Sequence, residues 1–186
     1  EKGIEVNLED FNTKMAEHQK LSQTSSAGMF KGGLANHNEK TIRLHTAHHL
    51  LLAALQQVVS PDIKQRGSNI TEERLRIDFM CDHKLTDEEK KKVEDLVNEK
   101  INAGLNVIRR EMPLAEAEKI GAQMEFGAKY PETVSVYFVE DENGNPFSKE
   151  FCGGPHITNT KELGHFKIQK EEAVAAGIRR IKAILD

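Results

Sequence analysis

The clearest pattern in the chain is a run from Thr41 to Val59 that is dense in Leu and Ala and is followed closely by Pro61. Its helix formers predict a helix, and the proline marks its far boundary. Downstream, Leu75, Ile77 and Phe79 alternate with Arg74, Arg76 and Asp78, the period of two expected of a half-buried strand. "TDEEKKKVEDLVNEKINAG" returns to helical spacing, with Val93, Leu96, Val97 and Ile101 on one face. Thr86 followed by Glu89 fits a capping box, and Gly104 suits the stop. "NVIRREM" and "VSVYFVE" read as strands, "PLAEAEKIGA" as a short helix opened by Pro113, and "DENGNP" as a turn. In the tail, "GHFKIQKEEAVAAGIRRIKAILD", the apolar spacing allows either a helix or two strands broken near Gly177. At the other end, Leu8, Phe11 and Met15 share a helical stripe within residues 1–21, and a Ser-, Gly- and Asn-rich stretch follows. The expected organisation is a helical segment and linker over residues 1–40, then one domain over residues 41–186. The order of elements predicts an α+β fold, helices packed on a mostly antiparallel sheet.

Composition narrows the class. With 38% hydrophobic and 30% charged residues and no Trp, the 186-residue chain suits a globular fold with an aliphatic core. No apolar run approaches the ~18–20 residues of a membrane span. The first residue is Glu1, not Met, which points to a processed chain or a piece of a longer one. A net charge of −4 argues against coating nucleic acid by bulk charge. Local basic patches are still available at Lys64 with Arg66, Arg109 with Arg110, and Arg179 with Arg180 and Lys182. Two cysteines, Cys81 and Cys152, do not make a disulfide framework, and a reducing cytoplasmic compartment is expected.

The chemistry gathers in two places. His45, His48 and His49 stand at the head of the Leu/Ala helix. Residues i and i+4 share a helix face, so His45 and His49 are stacked neighbours about 5–6 Å apart at Cβ. No Glu follows the first His, so this is not the HExxH arrangement of metalloproteases. Cys152 and His156 stand four apart across Gly153, Gly154 and Pro155, a sequence that disfavours helix and permits a tight loop. Three nitrogens and one sulfur suit zinc (Zn2+) best. His48 reads as a neighbour of the site and not as a ligand, and His18, His37, His83 and His165 carry no spacing signal.

The segments "HTAHHLLLAALQQV", "KQRGSNITEERLRIDF", "EFCGGPH", "TKELGHFKI" and "AAGIRRIKAIL" occur in this order. Together they resemble the editing domain of alanyl-tRNA synthetases, found also in freestanding alanyl-tRNA editing proteins and, more distantly, in threonyl-tRNA synthetases. The resemblance covers residues 41–186, and "FNTKMAEHQKLSQTSSAGMFKGGLA" resembles the segment just before that domain. It implies hydrolysis of the ester of serine or glycine wrongly attached to tRNA(Ala). It also implies zinc on His45, His49, Cys152 and His156. The family's pocket glutamine maps onto Gln65, followed by Gly67 and Ser68, and its Gly-x-Arg-Arg tail onto Gly177, Arg179 and Arg180. Two positions depart from the pattern: His48 and Pro155 stand where the family has Thr. The first concerns serine sensing. The second makes the loop more like that of threonyl-tRNA synthetase.

Expected roles follow. Gln65, Thr46 and Ser68 are candidate catalytic or hydroxyl-sensing groups, and His48, Gly67, Gly153 and Gly154 candidate substrate contacts. Lys64, Arg66, Arg179 and Arg180 are candidate contacts to tRNA. A simpler role for Thr46 is a first-turn helix hydroxyl, and for Ser68 a turn residue. Four protein ligands would close a zinc site, whereas catalytic zinc keeps a position open. Either one ligand is loose, or the ion positions the amino acid while Gln65, backbone amides or a ribose hydroxyl assist a water; a nucleophilic Cys152 ranks last, because a metal-bound thiolate is not free to attack. A pocket that accepts alanine rejects serine or glycine only weakly by binding, which is the physical reason for a second, hydrolytic site. The alternatives are serine removal from tRNA(Thr) and a noncatalytic tRNA-binding module with structural zinc.

Overall fold

The computed structural model describes residues 13–14, 34–124 and 128–186. The helix expected within residues 1–21 lies outside these, apart from Thr13 and Lys14. Helix α1 spans Glu39–Val58. It starts two residues earlier than its Leu/Ala content suggests, because the Asn38 side chain accepts the Thr41 amide at 2.9 Å and caps it. Every residue from Leu44 to Leu55 is buried, so the helix has no solvent face over this stretch.

Strands β1 (Gln65–Ile70) and β2 (Leu75–Met80) pair antiparallel, with an irregularity between Gln65 and Gly67. Helix α2 (Asp87–Ala103) begins in the expected capping box of Thr86 and Glu89 and stops at Gly104 in a left-handed conformation. Strand β3 (Asn106–Pro113), short helix α3 (Leu114–Lys119), β4 (Thr133–Glu140) and β5 (Pro146–Phe151) follow. A 3-10 turn over Thr160–Leu163 leads into β6 (Phe166–Ala175) and β7 (Ile178–Leu185). The ambiguous tail is therefore a hairpin. Gly177, at φ +69°, makes the turn, and β7 lies between β6 and β2.

Among the described residues two antiparallel sheets result, in the strand orders β1-β2-β7-β6 and β3-β4-β5. The α+β expectation holds. Leu50, Leu51 and Leu55 of α1, Ile77 and Phe79 of β2, Val93 and Val97 of α2, and Ile181 of β7 are all fully buried in one core. Each such side chain contributes roughly 1.5–3 kcal/mol through burial. A smaller cluster holds Ala117, Val134, Val136, Phe138 and Phe151. Helix α1 also touches β5, which brings its histidines to the loop after that strand. Leu34 and Ala35, read from the sequence as linker, join Ile70 of β1. No helix among the described residues is long and apolar enough to cross a membrane.

Candidate metal centre

Helix α1 presents His45 and His49 one turn apart, with ring centroids 5.2 Å from each other. The loop after β5 supplies Cys152 and His156, and His45 and Cys152 lie 107 positions apart in the chain. Cys152 Sγ is 3.4 Å from His45 Nε2 and 3.3 Å from His156 Nε2. The His45 and His156 rings stack at 4.1 Å, and those of His49 and His156 stand 4.5 Å apart. One donor atom from each of the four residues lies within 4.8 Å of all the others. The two expected pairs therefore meet at one point.

Gly153 is exposed and Gly154 buried. A Cβ on Gly154 would run into the His45 ring, with Nδ1 at 2.9 Å. The Gly154 amide also donates to Cys152 Sγ at 3.5 Å. This glycine thus lets the loop close onto the helix.

Burial sets the protonation state. His45 is held down at about 4, with its bond to the Pro155 carbonyl acting in the opposite sense. His48 is held down at about 3. His49 and His156 are held well below the usual imidazole range, first by burial and then by neighbouring imidazoles. Neutral imidazoles are the form that binds metals. Among the described residues, His48 Nε2 and His49 Nδ1 are buried with no hydrogen-bond partner. An unsatisfied buried polar group costs about 1–3 kcal/mol. Thiol sulfur, neutral imidazoles and an orphaned nitrogen form a donor set that fits Zn2+.

Other expected site residues are placed as follows. Thr46 is fully enclosed, and its hydroxyl meets His156 Nδ1 at 3.0 Å and the Ile157 amide at 3.4 Å. It stands on the side of the His156 ring away from Cys152. Gln65 is buried at the start of β1 opposite Phe79, on the face that packs in the main core. Ser68 and Gly67 follow it on β1, opposite Ile77 and Asp78. Both lie in a strand, not a turn. Lys64 donates to Gln123 at 3.1 Å, and Arg66 contacts Met80 Sδ. Arg179 pairs with Glu171, and Arg180 pairs with both oxygens of Asp78 at 2.6 and 2.8 Å. These two arginines are successive on β7 and so project from opposite faces of the sheet.

Two site residues were missed from sequence. Glu150 is buried on β5, with Oε2 at 3.7 Å from His49 Nε2. Burial pushes its carboxyl up to about 8, opposed by a bond from the Ser148 hydroxyl. The two-residue alternation Ser148, Glu150, Cys152 was the available signal. Tyr137 lies with its ring 4.2 Å from that of His156. Cys81, Asp82 and His83 form another group of potential ligands, but both His83 nitrogens are engaged by Asp82 and Glu89.

Residues 134–182 match the family described as the threonyl and alanyl tRNA synthetase second additional domain. The alanine–tRNA ligase of Treponema denticola is 50% identical over 186 residues, covering 100% of this chain and 30% of that protein. The alanine–tRNA ligase of Borreliella burgdorferi is 51% identical over 185 residues, with the same two coverages. That of Cytophaga hutchinsonii is 49% identical over 142 residues, which is 75% of this chain and 16% of that protein. The chain thus spans about a third of the length of the first two relatives. The match to the threonyl and alanyl tRNA synthetase second additional domain thus falls on the residues that carry β4, β5, the Cys152–His156 loop and most of the closing hairpin, within a chain similar over its whole length to part of alanine–tRNA ligases.

Proposed function

We propose that this domain is an aminoacyl-tRNA deacylase that hydrolyses Ser- or Gly-tRNA(Ala), with Zn2+ held by His45, His49, Cys152 and His156. The observation that supports this reading is the meeting of the four side chains in a chain whose whole length aligns with 30% of an alanine–tRNA ligase. When bound, Zn2+ supplies Lewis-acid charge that polarises an ester carbonyl. Burial of the three imidazoles keeps them neutral and ready to donate. Gln65 orients the aminoacyl group. His48, buried and with Nε2 unpartnered, contacts the amino-acid side chain of the substrate. Lys64, Arg66, Arg179 and Arg180 are assigned to the tRNA backbone. Arg180 and Arg179 would exchange their carboxylate partners in part for phosphate. A reducing cytoplasm keeps the Cys152 thiol available.

The test is hydrolysis of Ser-tRNA(Ala), Gly-tRNA(Ala) and Ser-tRNA(Thr) by the purified chain, with and without a chelator. Chelator-sensitive hydrolysis of the alanine tRNA esters is expected. Faster hydrolysis of Ser-tRNA(Thr) would reassign the substrate, in line with Pro155 in the loop. Binding of tRNA without hydrolysis above the spontaneous rate would make the domain a binding module. His48→Thr is expected to change the ratio of serine to glycine hydrolysis and leave zinc content unchanged. An unaltered ratio removes His48 from the substrate contact.

A further inference from the structure

An imidazole offers a metal only its unprotonated nitrogen, and the partner of the other nitrogen decides which one that is. For His45 the partner is the Pro155 carbonyl, 3.1 Å from Nδ1. A carbonyl only accepts, so Nδ1 carries the proton and Nε2 is bare, 3.4 Å from Cys152 Sγ. Similar contacts surround the other two rings.

We propose that Thr46 and Glu150 are positioning residues that hold His156 and His49 in the tautomers whose bare nitrogens serve the ion. The proposal deepens the metal reading above and rests on it. The Thr46 hydroxyl has one proton and two lone pairs. The Ile157 amide approaches it as a donor and the Ile42 carbonyl as an acceptor, each at 3.4 Å. With its proton on the Ile42 carbonyl, the remaining lone pair receives Nδ1–H of His156 at 3.0 Å. His156 Nε2 is then bare, 3.3 Å from Cys152 Sγ.

Glu150 stands in the same relation to His49. Its Oε1 accepts the Ser148 hydroxyl at 3.0 Å, which leaves Oε2 against His49 Nε2 at 3.7 Å. A proton on Nε2 faces that oxygen and leaves Nδ1, buried without a hydrogen-bond partner among the described residues, as the bare donor. The opposite tautomer would bury an N–H with no acceptor. A carboxyl group, a hydroxyl and a carbonyl behind the three imidazoles form an outer shell of the kind that fixes ring orientation and ligand basicity.

The experiment labels histidine with 15N in the whole chain and records long-range proton–nitrogen correlation spectra without metal. These show which ring nitrogen carries the proton. Zinc affinity is measured in parallel by competition with a chromophoric chelator. The expected wild-type pattern is Nδ1–H on His45 and His156 and Nε2–H on His49. Thr46→Val is expected to mix the His156 tautomers, and Glu150→Leu those of His49, each weakening zinc about ten- to a hundred-fold. Thr46→Ser and Glu150→Gln, which keep an accepting oxygen, are expected to restore most of that loss. The opposite wild-type tautomers, or Val and Leu variants with wild-type zinc affinity, overturn the proposal. If a disruptive variant does not fold, the wild-type spectrum decides. Wild-type chain that binds no zinc would overturn the metal reading, while the tautomer spectra would still be read independently.

Discussion

A Cβ on Gly154 would meet the His45 ring, which ties one backbone position to the candidate metal centre. Gly154→Ala must push either the loop or the ring aside, so zinc affinity is expected to fall by at least about ten-fold, the scale of a disturbed ligand shell. Gly153→Ala, at an exposed neighbour, is the comparison and should bind zinc as wild type does. Chelator competition on the two variants measures both. At this scale the four converging side chains were legible, because spacing of four on a helix and four around a Gly-Gly-Pro loop is local information. Glu150 and the Pro155 carbonyl were not, because their parts depend on which ring nitrogen faces them across the fold. Thr46 was noticed for its hydroxyl. Only the approach of His156, 110 positions away, shows where that hydroxyl is directed.

Helix α2 was the most legible element, since its cap, apolar face and stop are all written locally. Thr86 Oγ1 accepts the Glu89 amide at 3.1 Å, and Glu89 Oε2 accepts the Thr86 amide at 2.7 Å. Thr86→Ala is expected to cost about 0.5–2 kcal/mol in chemical denaturation. His83 stands beside this cap, bonded to Asp82 at 2.8 Å and Glu89 at 3.2 Å. Those two bonds, Asp82 first, raise its pKa above the usual value. Its stabilising contribution is complete below the unfolded value of about 6.5 and is lost as pH rises through the higher folded value. The melting-temperature advantage of wild type over His83→Gln should therefore shrink as pH rises above about 6.5. The β6–β7 hairpin resisted sequence reading for a physical reason. Phe166, Ile181 and Ala183 are its fully buried positions, too sparse to establish a period of two. Pairing of β7 with β2 decides the matter, and that is a long-range fact. Strand β1 is similar, since Gly67, Ser68 and Asn69 have weak strand preference and are held by the ladder to β2.

Across the molecule, one buried helix serves two purposes. Leu50, Leu51 and Leu55 anchor α1 in the core, and the same helix carries His45 and His49 to the end of β5. The α+β class and antiparallel pairing could be read from the order of elements. The division into two sheets could not, because it depends on β7 inserting between β2 and β6. The basic residues behave differently from the four converging side chains at this scale. Arg179 and Arg180 are adjacent in sequence, yet each is matched to its own carboxylate. The account stands most directly on the joint occupancy of the four converging side chains. Elemental analysis of zinc in wild type and in His45→Ala, His49→Ala, Cys152→Ala and His156→Ala, each refolded or expressed with zinc supplied, measures this. A single ion per wild-type chain, lost or sharply reduced in every variant, is the predicted result. Zinc-free wild-type protein, or full retention of zinc in Cys152→Ala, would contradict it.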